Sequence, residues 1–153
     1  MEKVTIFVDG ATAGGRYSGI AAIALTTEGG FLGWASRRLP SMTNNEAEYE
    51  SVLLGLRLAR ALQAPRVEIV SDSEVAVRQM QGRSQVHSSG LRSLYQQTCA
   101  SCRHFQAVEF RHVAREQNRL ADALAAEALA GRERIMRAEK KLSGSRSFLT
   151  RLR

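Results

Sequence analysis

Leu39-Pro40-Ser41-Met42-Thr43-Asn44-Asn45-Glu46-Ala47-Glu48-Tyr49, residues 39–49, is where the chain changes its hydrophobic period. Upstream, apolar and β-branched residues come in short runs separated by glycine-rich turns. Downstream, from Asn44 to about Gln63, apolar residues recur at helical spacing. Pro40 closes the last early strand, and Ala64-Pro65 stops the helix. A β-rich opening followed by this switch predicts an α/β domain.

Working toward the N-terminus, Phe31 to Leu39 reads as a strand that follows the hairpin signal Glu28-Gly29-Gly30. Residues 20–26 form the strand before it, and Val4-Thr5-Ile6-Phe7-Val8 the first, ending at Asp9-Gly10. A small, glycine-rich loop runs from there through Gly19. Toward the C-terminus, Val67-Glu68-Ile69-Val70 is a fourth strand, and Ser71-Asp72-Ser73 a strand-to-helix turn with N-cap residues. A short helix to about Met80, a helix over 88–104 and a strand over 107–113 follow. After a polar loop, a helix starts at Arg119 with room to run as far as Leu142. The order βββαβα(α)βα predicts a five-stranded mixed sheet, three antiparallel strands and then α/β crossovers, flanked by helices.

The 153 residues suit one domain with a sizeable core. Residues 1–131 carry 14 Lys+Arg and 13 Asp+Glu, a net charge of +1. Residues 132–153 carry 8 and 2, a net of +6. The division expected is a catalytic domain over 1–131 and a basic helical extension and tail over 132–153. A basic tail suits nucleic acid or another anionic surface, and a solvated helix end equally. No apolar run approaches the roughly 20 residues needed to cross a bilayer. Met1-Glu2-Lys3 leads directly into a strand, so the chain reads as cytoplasmic and without a membrane partner. Cys99 and Cys102 form a lone C-x-x-C on one helical face, read as small apolar residues rather than a redox or zinc pair.

Four carboxylates stand where an acid is costly unless it holds a cation: Asp9, Glu48, Asp72 and Asp122. Asp9 and Asp72 end apolar strands, where ligands gather in crossover sheets. Asp122 interrupts the apolar Ala121–Ala126 run, and a first-turn acid complementing the helix dipole is the plainer reading of it. Among Glu46, Glu48 and Glu50, only Glu48 lies beside the apolar stripe of Tyr49, Val52, Leu56 and Ala59, at about 100° per residue. The other two point about 160° away, toward a solvated face. An all-oxygen ligand set points to hard cations and phosphate chemistry.

The residues around these acids carry a resemblance. Thr43-Asn44-Asn45-Glu46-Ala47-Glu48-Tyr49 with Gly55-Leu56 is similar to the TNNxAEY…GL signature of type 1 ribonucleases H. Phe7-Val8-Asp9-Gly10-Ala11 with Gly14-Gly15 resembles that family's first strand and glycine loop, and Ser71-Asp72-Ser73 its (T/S)DS element. His112-Val113-Ala114-Arg115-Glu116-Gln117-Asn118 and Ala121-Asp122-Ala123-Leu124-Ala125 resemble its final motif, with Ala114 where proline is usual. The likeness runs in order from about residue 4 to 130. It fits the form without a basic protrusion, since Trp34 is the only tryptophan and residues 81–104 are not strongly basic.

The resemblance implies the ribonuclease H-like fold and an endonuclease that cuts the RNA strand of RNA–DNA hybrids, leaving 5′-phosphate and 3′-hydroxyl ends. It implies two Mg²⁺ ions, with Mn²⁺ as a substitute, held by Asp9, Glu48, Asp72 and Asp122. Such a pair about 4 Å apart clamps the attacking and leaving oxygens. His112 is implied as the histidine that shuttles a proton or helps product leave, a strand-end histidine in solvent being the alternative. Gly10, Gly14 and Gly15 would let the backbone approach the RNA groove, while Asn44, Asn45, Ser73 and Asn118 contact substrate and Thr43 holds a DNA phosphate. Asn44 or Asn45 as a helix cap is the alternative reading. Double-stranded RNA or an RNA–DNA junction stays open as the duplex, and a catalytically silent binding module is the alternative class. The chain is expected to act as a monomer.

Overall fold

Apolar alternation in the first forty residues builds three long strands: β1 (Lys3–Thr12), β2 (Tyr17–Thr26) and β3 (Phe31–Pro40). They pair antiparallel in a computed structural model that describes residues 2–132 and 135–137. Helix α1 (Asn44–Ala61) follows, then β4 (Arg66–Ser71), α2 (Glu74–Met80), α3 (Ser89–Cys102), β5 (Ala107–His112), a 3₁₀ turn (Arg115–Gln117), α4 (Arg119–Leu129) and β6 (Ile135–Arg137). The sheet order is β5-β4-β1-β2-β3-β6, with β4 parallel to both β1 and β5. The expected five strands are all present and in mixed orientation.

Alternation on β1 sends Val4, Ile6 and Val8 to one face, where they pack with Val52, Leu56 and Ala59 of α1. Phe7 and Ala11 face the other way, against a smaller cluster of Ala21, Ile23, Ala121, Leu124 and Ala125 that seats α4. Helix α1 is buried on almost every side, because Tyr49 on its outer surface packs with Ala76 and Leu91 of α2 and α3. A helix covered on two sides reads as apolar nearly all round. Gly19 on β2 marks the closest approach of α4. A Cβ there would stand 2.0 Å from the Ala125 carbonyl oxygen.

Two boundaries differ from the sequence reading. Strand β1 does not end at Asp9-Gly10 but stays paired with β2 as far as Thr12 opposite Ser18. Helix α4 does not run toward Leu142. Gly131 adopts φ +95°, its N–H donates to the Ala128 carbonyl, and Arg132 N–H reaches back to Glu127. That glycine-terminated stop closes the helix at Leu129. The chain then returns as β6, which pairs with Gly33–Ala35 of β3. Residues 135–137 are therefore strand where a helical extension was expected, and the remainder of that extension, 138–153, lies outside the described residues.

Candidate active site

Parallel pairing of β1 with β4 stops at Phe7 opposite Val70. Beyond that point β1 carries on with β2 alone, so the carboxyl ends of β1 and β4 diverge and leave an open crevice. Asp9 sits on β1 two residues past the last pair, and Asp72 directly follows β4. Glu48 enters from the first turns of α1. One oxygen each from Asp9, Glu48 and Asp72 lies within 4.8 Å of the others. Asp122, in the first turn of α4, is near enough to Asp9 to help raise its carboxyl and pairs with Arg115 at 3.7 Å. The structure thus gathers Asp9, Glu48 and Asp72 as a tight cluster, with Asp122 near enough to act on Asp9.

Glu48 is fixed by the backbone. Gly10 N–H donates to its Oε1 at 2.7 Å, while Oε2 is buried without a partner among the described residues. Gly10 has a steric reason to be glycine, because an added Cβ would sit 2.6 Å from the Ala47 carbonyl. Gly10, expected at the substrate, here seats α1 on β1 and aims Glu48. Burial first, then the charges of Glu48, Asp72 and Asp122, push the Asp9 carboxyl up to about 9. Burial likewise raises Glu48 to about 7, against the lowering effect of the Gly10 donor. Without a cation, this setting favours the protonated form of Asp9. A crowd of oxygens that cannot all ionise, with one buried lone-pair oxygen unmet, fits a hard divalent cation.

The remaining expected residues divide by what occupies them. Ser73 caps α2, its Oγ accepting from Ala76 N–H, so that oxygen is taken by the helix. Thr43 caps α1 in a reciprocal arrangement: its Oγ1 accepts from Glu46 N–H, and its own N–H donates to Glu46 Oε1. Neither asparagine caps. Asn44 and Asn45 are exposed, and Asn44 Oδ1 accepts from the Thr12 hydroxyl, tying the end of β1 to the start of α1. Gly14 and Gly15 lie in the loop between β1 and β2 with open space where a Cβ would point. Asn118, expected at the substrate, is 2% exposed and donates to the Val8 carbonyl instead. His112 ends β5 in register with Ser71, exposed, one residue short of Asp72's level.

Sequence reasoning missed what three residues do. Glu46 was assigned to a solvated face, although Thr-x-x-Glu ahead of an apolar run is a readable capping box. Arg115 carries the only ion pair to a site acid among the described residues. Asn118 locks the start of α4 to β1, and a single sequence holds no signal for a bond across such a span. Cys99 and Cys102 are free, and Cys102 packs on the core with burial pushing its thiol up to about 11, as a small apolar residue would.

A family model described as reverse transcriptase-like matches residues 7–128. The chain belongs to that ribonuclease H-like family. It is 33% identical over 129 residues to the bifunctional protein Rv2228c of Mycobacterium tuberculosis, covering 83% of this chain. It spans only 35% of that relative's length. The N-terminal RNase H domain of Rv2228c, solved as a fusion with maltose binding protein, matches with TM-score 0.81 and 32% identity over 85% of this chain and 95% of that one. LC11-RNase H1, isolated from compost and solved with an RNA/DNA hybrid, matches with TM-score 0.77 and 29% identity over 83% of this chain and 96% of that one. Family membership accounts for the mixed sheet. Among the described residues no helix is long and apolar enough to cross a membrane.

Proposed function

We propose that the chain hydrolyses the RNA strand of RNA–DNA hybrids, leaving 5′-phosphate and 3′-hydroxyl ends. The observation that carries this reading is the Asp9–Glu48–Asp72 cluster with its unmet Glu48 Oε2, set in a fold shared with a protein solved on an RNA/DNA hybrid. Asp9, Glu48, Asp72 and Asp122 would hold two Mg²⁺ ions, with Mn²⁺ as a substitute. Bound there, the cations supply Lewis-acid activation of water and charge neutralisation at the leaving oxygen.

The protein's own groups do the rest. Gly10 N–H keeps Glu48 aimed into the crevice, and Asn118 keeps α4 at the distance that lets Asp122 reach Asp9. Arg115, exposed and paired with Asp122, is free to turn toward a phosphate when the acid finds another cation. His112 stands at the rim beside Asp72 and moves a proton or eases product out. The open Gly14-Gly15 loop, Asn44 and Asn45 line one bank where a duplex minor groove would lie. Thr43, exposed although it caps α1, would meet a phosphate on the DNA strand. We take the enzyme to act as a cytoplasmic monomer, with residues 132–153 as an appended basic segment whose charge adds grip.

Cleavage of labelled RNA–DNA hybrid, double-stranded RNA and double-stranded DNA with Mg²⁺ or Mn²⁺, comparing wild type with Asp9→Asn, tests the reading. Hybrid cut by the wild type and spared by the variant is the expected result. Hybrid left intact by the wild type overturns it, and cutting of double-stranded RNA at an equal rate replaces the substrate.

A further inference from the structure

Helix α2 ties together two parts of the site that lie far apart in the chain. Its N-cap, Ser73, directly follows Asp72. Its C-cap, Gln81, donates from Nε2 to the Phe110 carbonyl at 2.7 Å. Phe110 stands on β5 two residues before His112. The other end of the Gln81 amide is also taken, because Arg83 donates to its Oε1 at 3.4 Å. That leaves Nε2 for the carbonyl. Gln81, Phe110 and His112 line one cleft of about 420 Å³ between α2 and β5.

Strand β5 is the outermost strand on its side of the sheet and pairs with β4 alone. Val113 N–H reaches the Ser71 carbonyl, so alternation along the strand turns the Phe110 carbonyl outward, away from β4. Gln81 meets it there. The register with β4 ends at Ser71 opposite His112, and a strand end held from one side frays. His112 is exposed, and no hydrogen bond among the described residues orients its imidazole. Its place therefore depends on the backbone that carries it, and the Phe110 carbonyl is only about 7 Å back along the strand.

We propose that Gln81 is a positioning residue for hydrolysis: it holds the free side of β5 and so keeps His112 in place beside Asp72. The proposal rests on the catalytic reading of His112. The core holds the Phe110 side chain from one face, β4 holds the strand from one edge, and Gln81 closes the other edge. Because Asp72 and Gln81 flank one short helix, the metal-ligating acid and the histidine belong to one rigid frame. A capped carbonyl could instead serve only to keep an exposed edge from pairing with another chain. The two roles separate in kinetics.

The full chain is assayed on labelled hybrid with Mg²⁺ as wild type, Gln81→Ala, Gln81→Glu, Gln81→Lys, His112→Ala and Gln81→Ala/His112→Ala. Gln81→Ala and Gln81→Glu offer the carbonyl no donor at neutral pH and should lower kcat by roughly two- to ten-fold, the worth of one ordinary hydrogen bond, with KM unchanged. Gln81→Lys keeps a donor and should restore kcat. In the double variant the loss should be no greater than in His112→Ala, a coupling that a merely structural role does not produce. Independently of activity, the His112 imidazole NMR signal, assigned by its loss in His112→Ala, should shift in Gln81→Ala while those of His87 and His104 stay. Hybrid cut by the wild type with kcat unimpaired in Gln81→Ala overturns the proposal alone, and association of that variant at higher concentration would then make Gln81 an edge guard. An equal further loss of kcat in the His112→Ala background also overturns it. Hybrid left intact by the wild type removes the catalytic reading and this proposal with it.

Discussion

Asn118 Nδ2 donates to the Val8 carbonyl at 2.9 Å, joining residues 110 positions apart in a buried contact. Val8 precedes Asp9, and the Asn118 carbonyl accepts from Asp122 N–H. One side chain therefore sets the separation of two site acids. Asn118→Ala strands a buried carbonyl and should destabilise the fold by about 1–3 kcal/mol. It should also weaken Mg²⁺ binding in calorimetry. Loss of stability with unaltered metal affinity would limit Asn118 to a structural role.

The acid cluster makes metal-free stability depend on pH. The unfolded chain ionises Asp9 near its ordinary 3.8 and the folded chain near about 9, with Glu48 moving from 4.5 to about 7. Between those values the folded state holds the extra protons, so their stabilising effect is full below about pH 4 and drains away as pH rises toward about 9. Calorimetry in a chelator should show the melting temperature falling over this range, and Asp9→Asn should flatten the fall. Added Mg²⁺ should raise the melting temperature most at the alkaline end. A metal-free curve that climbs with pH would contradict the cluster's electrostatics.

Gly10 and Gly15 should respond oppositely to the same substitution. Gly10→Ala drives a methyl into the Ala47 carbonyl and should cost about 1–3 kcal/mol, or more because the obstacle is backbone. Gly15→Ala meets open space and should change stability by no more than about 0.5 kcal/mol. Any rise in KM for hybrid with Gly15→Ala would then report a close backbone approach to substrate. Equal melting temperatures for the two variants would refute the packing account.

His112 is exposed at the end of β5, so His112→Ala should leave the melting temperature unchanged. Turnover should fall by about 10²-fold with little change in KM. Steady-state kinetics on hybrid will show this, and an unimpaired turnover would return His112 to an ordinary surface position.

Gln63 ends α1 in the left-handed region at φ 59°, with Ala64 N–H reaching back to the Ala59 carbonyl. Glycine fits that position without the side-chain penalty. Gln63→Gly should stabilise the protein by about 0.5–1 kcal/mol and leave activity untouched. A lower denaturation midpoint would mean that the glutamine makes up its strain elsewhere.

Most of the sheet was legible because alternation and turn residues are local signals, and so was the choice of Glu48, because helix phase is arithmetic on neighbours. The end of α4 was readable too, since Gly131 after an apolar run is a stop signal, which the expected run to Leu142 passes over. Strand β6 was not, since three residues carry no period and their pairing with β3 is decided by where α4 releases the chain. The occupied oxygens of Ser73 and Thr43 show the same limit. A motif names the residues at a site, but only the fold decides which of their atoms are already in use.

Gly19 sits against the half of α4 farther from Asp122, where Ala125 and Leu129 press on β2. Asp122 lies only about 5–10 Å away along the axis of that rigid rod. The contact is a fulcrum. Any side chain at position 19 would be a wedge that tilts the rod and swings the carboxylate at its tip, so a change on a strand that carries no site acid would surface as a displaced Asp122.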